Sequence, residues 1–552
     1  MGIAGLARRL DPYASRYTPE ELGGCHAIVD GPSLAYHAYE LAHAVSSNQS
    51  RLPSYADINA QAIRWLKALE DVDIKVSAIL FDGALPDTKR NERLSRLQSN
   101  NQRVRQFRIN YPTAACPIPT QLGSAPFSLL APGLREALGD SKYASVTRIV
   151  PGEADDSCAS CANQYPRSII FSNDTDLILY DYPAEGRVLF LRDVELWPEP
   201  KFKGYSPTKI QQALHLTSLV PWAYCITQDP REPFSASVKA ARDVDTASSQ
   251  YEEFSKRYTI PSVAPLENSR MESALQNLDV RVSEFVYQAL DVALVPKVYL
   301  PLLVEDPNQA SAWNVGHGLR LLACSLLAPD REVLHEYKRK AQGIAMHEVK
   351  LHSPKELSLS AEALSRDISA WLRWTGDRQV PREFIWPLIA VNIVLPEMTT
   401  SPKMTLVIRV VNGDFDNTWD FVHLTARMHA ALYSLRFLKQ CVTLWLAVNE
   451  DSSVELHRPV DNLHRTLQGM PAIAELFIVP GQAGRPLGDS TILQTLINEI
   501  YTSANVEILD EQISNKKLKK QKREAERKAK KKQQEASTQR TQNLSELLNQ
   551  RQ

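Results

Sequence analysis

Residues 168–181 read SIIFSNDTDLILYD, an apolar run from Ser168 to Phe171 that gives way within three residues to Asp174 and Asp176. A strand this apolar belongs inside a sheet covered on both faces. Carboxylates at its exit must then meet either water or a cation. Other stretches end in the same way. CHAIVDG (25–31) stops at Asp30, and VSAILFDG (76–83) stops at Asp82. VTRIV (146–150) is followed by PGEADD, in which Glu153, Asp155 and Asp156 open a helix expected to reach about Asn163. Between these runs, Ile58, Ala62, Leu66 and Leu69 recur at helical spacing after Asp57. Strands alternating with helices predict an α/β fold with a largely parallel sheet, whose sites form beyond the carboxyl ends of the strands.

Four strand exits thus deliver acids to one edge. Carboxylates gathered there repel one another, so that some must protonate unless a cation neutralises them. Oxygen donors without a companion His or Cys favour Mg²⁺ or Mn²⁺ over zinc. Two such ions about 3.5–4 Å apart clamp the attacking and leaving oxygens of a phosphodiester displacement. Each acid taken singly fits a blander role, because Asp-Gly makes turns and acids complement a helix start. The coincidence at four exits is what favours metal.

The start MGIAGL, the strand AIVDGPSLAYH, FDG, GEADD and SNDTDLILYD, in this order and spacing, resemble the flap endonuclease/XPG superfamily with its PIN-like nuclease core. Within it, VYLPLLVEDPNQASAWNVGHGLRLLACSLL (298–327) resembles the second domain of asteroid-type proteins. The resemblance implies that Asp30, Asp82, Glu153 and Asp155 serve one metal ion, with Asp155 bridging, and that Asp174 and Asp176 serve the other. Asp155 stands where the family commonly has Glu, and Asp156 is a substitute for it. A further family acid falls on Asp229 in an ungapped alignment, although Asp229 fits a turn before Pro230 equally well. The family's phosphate-engaging Lys and Arg fall on Lys89 and Arg96, seven apart on one helix face and amid Arg90, Arg93, Arg103, Arg105 and Arg108. Clustered cations beside an acidic site suit a polyanion, although a solvated face has the same composition.

Two departures matter. No glycine occurs from Tyr205 to Val315, so the family's helix–hairpin–helix, whose glycines let backbone approach duplex phosphates, cannot form in its usual way. The segment that forms a helical arch elsewhere holds Pro112, Pro117, Pro119, Pro126 and Pro132 here, which argues against a continuous arch. Single-stranded, overhang or branched substrates gain from both.

The expected organisation is an XPG/PIN-like nuclease domain over 1–235, a mostly helical asteroid-type region over 236–505 and a basic tail over 506–552. The composition, 43% hydrophobic and 23% charged, is that of an ordinary globular protein, and no apolar run reaches membrane-spanning length. Seven scattered cysteines argue for a reducing compartment, and the CxxC at Cys158 and Cys161 lacks the second pair of a zinc site. The chain holds 63 Lys/Arg and 64 Asp/Glu, but eleven cations and two acids fall in 516–532. Without that stretch 52 and 62 remain, a mildly acidic body carrying one basic tail. The tail suits a nuclear localisation signal, a nucleic-acid arm or a solvated helix. The reading is an endonuclease of DNA repair, nuclear with a cytoplasmic location as an open alternative, that uses Mg²⁺ or Mn²⁺ and acts on DNA, with RNA a second open alternative. Its rival is a nuclease fold that has lost catalysis and acts as a nucleic-acid-binding or scaffolding regulator.

Overall fold

The computed structural model describes residues 2–507 except 48–50, 87–88, 113–121, 261–272, 277, 291–294, 417, 450–453 and 483–489. The basic stretch 516–532, Pro117 and Pro119 lie outside the described residues. The strands are β1 (Ser15–Tyr17), β2 (His26–Asp30), β3 (Lys75–Phe81), β4 (Thr147–Ile149), β5 (Ser168–Ser172), β6 (Arg187–Phe190), β7 (Val194–Glu195), β8 (Lys201–Gly204), β9 (Lys297–Tyr299), β10 (Val333–Lys340) and β11 (Gly343–Lys350).

The central sheet has the order β4-β3-β2-β5-β6, and all its neighbouring strands are parallel. Its carboxyl ends therefore share one edge. Alternate residues feed two cores: Ala27, Val29, Ile169 and Phe171 enter one, and Ile28, Ile170 and Val188 the other. Helices Gly31–Ser47 and Tyr55–Glu70 cover the first face. Helices Ala154–Ala162 and Val220–Gln228 cover the second. Cys158 is buried there as an apolar residue among others. Gly31 allows a close approach, because a Cβ added to it would lie 2.7 Å from the Phe81 ring. The packing of this unit continues past residue 235, since Val238, Ala241, Tyr251 and Phe254 join its second core.

β6 extends the sheet beyond the strands read from sequence, and β1, β8 and β7 form a small antiparallel sheet beside it. These strands have two to four residues, too few to set up a period.

The region after about 280 is mainly helical, built around Trp419–Val448, a helix buried on almost every side. It also contains a three-stranded sheet, β11-β10-β9, that the helical reading of 236–505 did not anticipate. The reason is chemical. β10 reads VLHEYKRK, and two of its charged residues, Glu336 and Arg339, are buried against partners 16 and 34 residues away in the chain. Arg320 Nε donates to Glu336 Oε2 at 2.9 Å, and Arg339 Nε donates to Glu305 Oε1 at 2.5 Å, all four side chains being almost wholly buried. Paired burial makes a strand core-facing where its composition says surface.

Candidate metal and phosphate site

At the common edge, each strand exit fixes its acid in a different way. Asp30, the last residue of β2, caps the next helix: its Oδ1 accepts the Ser33 N–H at 3.2 Å. Its Oδ2 accepts the hydroxyls of Ser33 and Ser172, each at 2.5 Å. Asp82, just past β3, accepts the Ala154 N–H at 2.8 Å and ties that exit to the start of helix Ala154–Ala162. Asp174 closes a local turn, its Oδ1 accepting the Asp176 N–H at 3.0 Å. Asp176 accepts the Ile3 N–H at 2.8 Å and the Tyr258 hydroxyl at 3.2 Å, so the N-terminal segment and a residue beyond 235 both reach the site. Lys89 Nζ lies 2.8 Å from Glu153 Oε2.

The charges sense one another. Burial and then Asp174, Asp30 and Asp82 push the Asp155 carboxyl well above its usual range. Asp30 is raised to about 6 by burial, against the serine hydrogen bonds and with Asp82 adding to the shift. Asp176 is raised to about 6 by burial and Asp174. Burial also raises Glu153, opposed by Lys89, and raises Asp156, whose Oδ1 accepts the Tyr180 hydroxyl at 2.6 Å. Burial depresses the Lys89 ammonium, but Glu153, Asp155 and Asp174 outweigh it and hold it above its usual value. Asp30, Asp82, Glu153, Asp155, Asp174 and Asp176 therefore converge on one electrostatic site, with Lys89 among them.

These oxygen donors suit a hard divalent cation, and added positive charge would offset the burial and the carboxylate repulsion that together raise Asp155. The side chains are not drawn together into a cage, however. Among the described residues, no group of three or more His, Cys, Asp or Glu is arranged to hold an ion as it stands. The Lys89 ammonium, 2.8 Å from Glu153, brings positive charge to the site.

Two residues fall elsewhere. Asp229 is an exposed helix C-cap whose Oδ1 accepts the Arg231 N–H at 2.9 Å, which is the turn role. Arg96 is exposed and pairs with Glu92 one turn back along its own helix. Helix Arg90–Asn110 runs unbroken for 21 residues and ends before Pro112. Its inward arginine is Arg93, which pairs with Glu284, lies 5.4 Å from the Tyr299 ring and senses Asp82. The rest of the helix is strapped to the C-terminal region. Arg90 bonds the Tyr337 hydroxyl, Gln98 Oε1 accepts the Ile344 N–H at 3.0 Å, and Arg108 Nε donates to Asp306 at 3.0 Å. Sequence reasoning missed Ser33, Ser172, Tyr180 and Tyr258. Only Ser33, at capping distance from Asp30, carried a local signal.

The family model described as XPG domain containing matches residues 126–351, less than half of the chain. A curated relative, Asteroid homolog 1 of Schizosaccharomyces pombe, is 24% identical over 347 residues, covering 58% of this chain and 60% of that protein. The chain thus matches less than two thirds of that relative's length. Among solved structures, human GEN1 in complex with Holliday junction DNA is 16% identical with a TM-score of 0.31, covering 46% of this chain and 59% of that one. The catalytic core of Rad2 in complex with DNA substrate is 14% identical with a TM-score of 0.30, covering 48% of this chain and 89% of that one. The chain is thus similar to the XPG domain model over residues 126–351 and to an asteroid homolog at 24% identity, and its central sheet is parallel throughout.

Proposed function

We propose that the protein is a divalent-metal-dependent endonuclease that cuts single-stranded, overhang or branched DNA. The observation that carries this reading is the convergence of Asp30, Asp82, Glu153, Asp155, Asp174 and Asp176 on one sheet edge, where burial and then the neighbouring carboxylates raise Asp155. Mg²⁺ or Mn²⁺, two ions in all, would be held by these acids and would supply Lewis-acid stabilisation and an activated water. Asp229 is not part of that set, given its exposed turn. Lys89 would orient the scissile phosphate, and the exposed Arg96 would meet substrate farther along the helix. A nuclear location and a role in DNA repair belong to the same proposal, with the basic stretch 516–532 as sequence support.

A second reading has its own observation. The acids are not gathered into a cage, and Arg90, Arg93 and Arg108 are engaged by the C-terminal region, as suits a nuclease fold retained for binding nucleic acid. The deciding assay incubates purified chain with Mg²⁺ or Mn²⁺ and labelled single-strand, overhang, flap and RNA substrates. Cleavage abolished by Asp174→Ala/Asp176→Ala supports the enzyme. Binding without cleavage of any of these substrates supports the scaffold.

A further inference from the structure

Residues of the helices Met404–Asn412 and Trp419–Val448 line a cavity of about 650 Å³, far along the chain from the acidic edge. Leu406 and Leu424 give it apolar walls, and Thr400 and Ser401 supply hydroxyls. Arg427 of the long helix lines it too, together with Lys403 and Arg409.

The guanidinium of Arg427 meets no negative charge. Its one hydrogen bond runs from Nε to His423 Nε2 at 3.1 Å, and among the described residues it has no ion pair. Burial, and then Arg427 itself, lower the His423 ring to about 3, so this partner is neutral at physiological pH. Burial also depresses Arg427, and the acid that opposes the shift, Glu305, is already bonded to Arg339 and to the Ala312 N–H. The two Nη atoms of Arg427 lack a partner, yet neither is sealed from solvent, so they open onto the cavity that the residue lines.

The other charges on the walls have their own explanations. Arg409 pairs with Asp414 and Asp416, and Asp416 also accepts the Thr418 N–H at 3.0 Å. Asp420 stands in the first turn of its helix, where it complements the dipole, about 10 Å along the axis from Arg427. Lys403 is exposed, has no ion pair among the described residues and immediately precedes Met404, a helix start that also favours an anion. A cation half-withdrawn from water without a counter-charge is costly, and an anion supplied from outside would offset that cost.

We propose that this cavity binds a small phosphate monoester, its phosphate held by the two Nη groups of Arg427 and by Lys403, its body lying against Leu406 and Leu424. The fork of a guanidinium matches two phosphate oxygens, and a second cation suits a group carrying about −1.5 to −2 charge at pH 7. The volume falls within the range of small-molecule sites, about 300–1,000 Å³. A passing nucleic-acid strand is disfavoured, because Asp416 and Asp420 stand on the same walls. None of these residues belongs to the acidic site, so the proposal is independent of nuclease activity.

The test uses the full chain in EDTA, so that no metal at the acidic site can hold phosphate. Adenosine 5′-monophosphate is the probe, because its ribose hydroxyls suit Thr400 and Ser401 and its base suits the apolar wall. Adenosine is the uncharged control. Calorimetry should show saturable binding of the monophosphate with a Kd below about 1 mM, and adenosine should bind at least about tenfold more weakly. Arg427→Gln removes the charge and keeps a polar side chain. It should weaken the monophosphate at least about tenfold in a chain that still melts cooperatively. Thr400→Trp, which adds bulk at an exposed edge of the cavity, should weaken it as well. Arg373→Gln makes the same change of charge at an exposed position of the helix Pro354–Asp377 and should bind like the wild-type chain. The proposal is overturned if the wild-type chain shows no saturable binding, if adenosine binds as tightly, or if either folded cavity variant binds like the wild type. Should Arg427→Gln fail to fold, Thr400→Trp decides alone. Equal weakening by Arg373→Gln would also overturn it, as would a single-stranded oligonucleotide that loses its affinity in Arg427→Gln, which would mark a strand contact.

Discussion

Gly2→Ala should disable the acidic site without unfolding the protein. Gly2 has φ +95°, and a Cβ placed on it would overlap Thr175 Oγ1 and Asp176 Oδ1 and lie 2.7 Å from Asp174 Oδ1. An L side chain at positive φ costs about 1–2 kcal/mol, and forcing an extra carbon into a packed site costs about 1–3 kcal/mol. Against this stands the Ile3 N–H to Asp176 hydrogen bond at 2.8 Å, worth roughly 1.5–3 kcal/mol to a charged acceptor. The sum favours expelling the N-terminal segment, and the sheet behind it stays intact. Asp176 then loses a donor that lowers its pKa, which sits at about 6 before the change. Amide hydrogen exchange should show Ile3 opening in the variant, with the amides of β2 and β5 protected as before. Cleavage with Mn²⁺ should fall on the order of tenfold, corresponding to about 1.4 kcal/mol. Wild-type exchange at Ile3 together with wild-type cleavage would refute the idea that the N-terminal segment is part of the site.

Further outcomes follow from named contacts. Lys89→Met should all but abolish cleavage, whereas Arg96→Ala, removing an exposed cation, should mainly weaken substrate binding and reduce its salt dependence, as fluorescence anisotropy across a salt series would register. Asp229→Asn should cleave like the wild-type protein in a single-turnover assay, since Asp229 is an exposed cap. Burial alone would raise the Glu336 carboxyl, but Arg320 and Lys338 outweigh it and hold it at about 2, below the unfolded value of 4.5. The resulting stability, about 3 kcal/mol, is present in full above about pH 4.5 and is lost as pH falls toward 2. Urea midpoints measured down this range should fall less steeply in Glu336→Gln. Arg320→Leu, which leaves Glu336 buried without its guanidinium, should cost about 3–5 kcal/mol at neutral pH.

The acidic edge was legible because its signal is local: an apolar run followed within a few residues by an acid reads directly as a buried strand and its exit. Parallel order then does the rest, since Asp30, Asp82 and Asp174 share an edge only if β2, β3 and β5 run the same way. Side-chain direction was less legible. Lys89 and Arg96 share a helical face by count, yet the helix is docked so that Arg93 turns inward, drawn by Glu284 nearly two hundred residues away. Tyr258 reaches Asp176 from a segment that composition assigned to another region. β10 stayed hidden because two of its four buried residues are Glu336 and Arg339, whose polarity is cancelled by Arg320 and Glu305, 16 and 34 residues away. Where a residue's burial depends on a distant partner, local pattern is silent.

Calorimetric titration of the full chain with Mn²⁺, beside the Asp82→Asn/Asp174→Asn variant, bears most directly on whether the sheet edge is a metal centre. The account predicts saturable binding by the wild-type chain with a stoichiometry approaching two, weakened at least about tenfold in the variant. Heats of dilution alone from the wild-type chain, or identical isotherms for the two proteins, would contradict it.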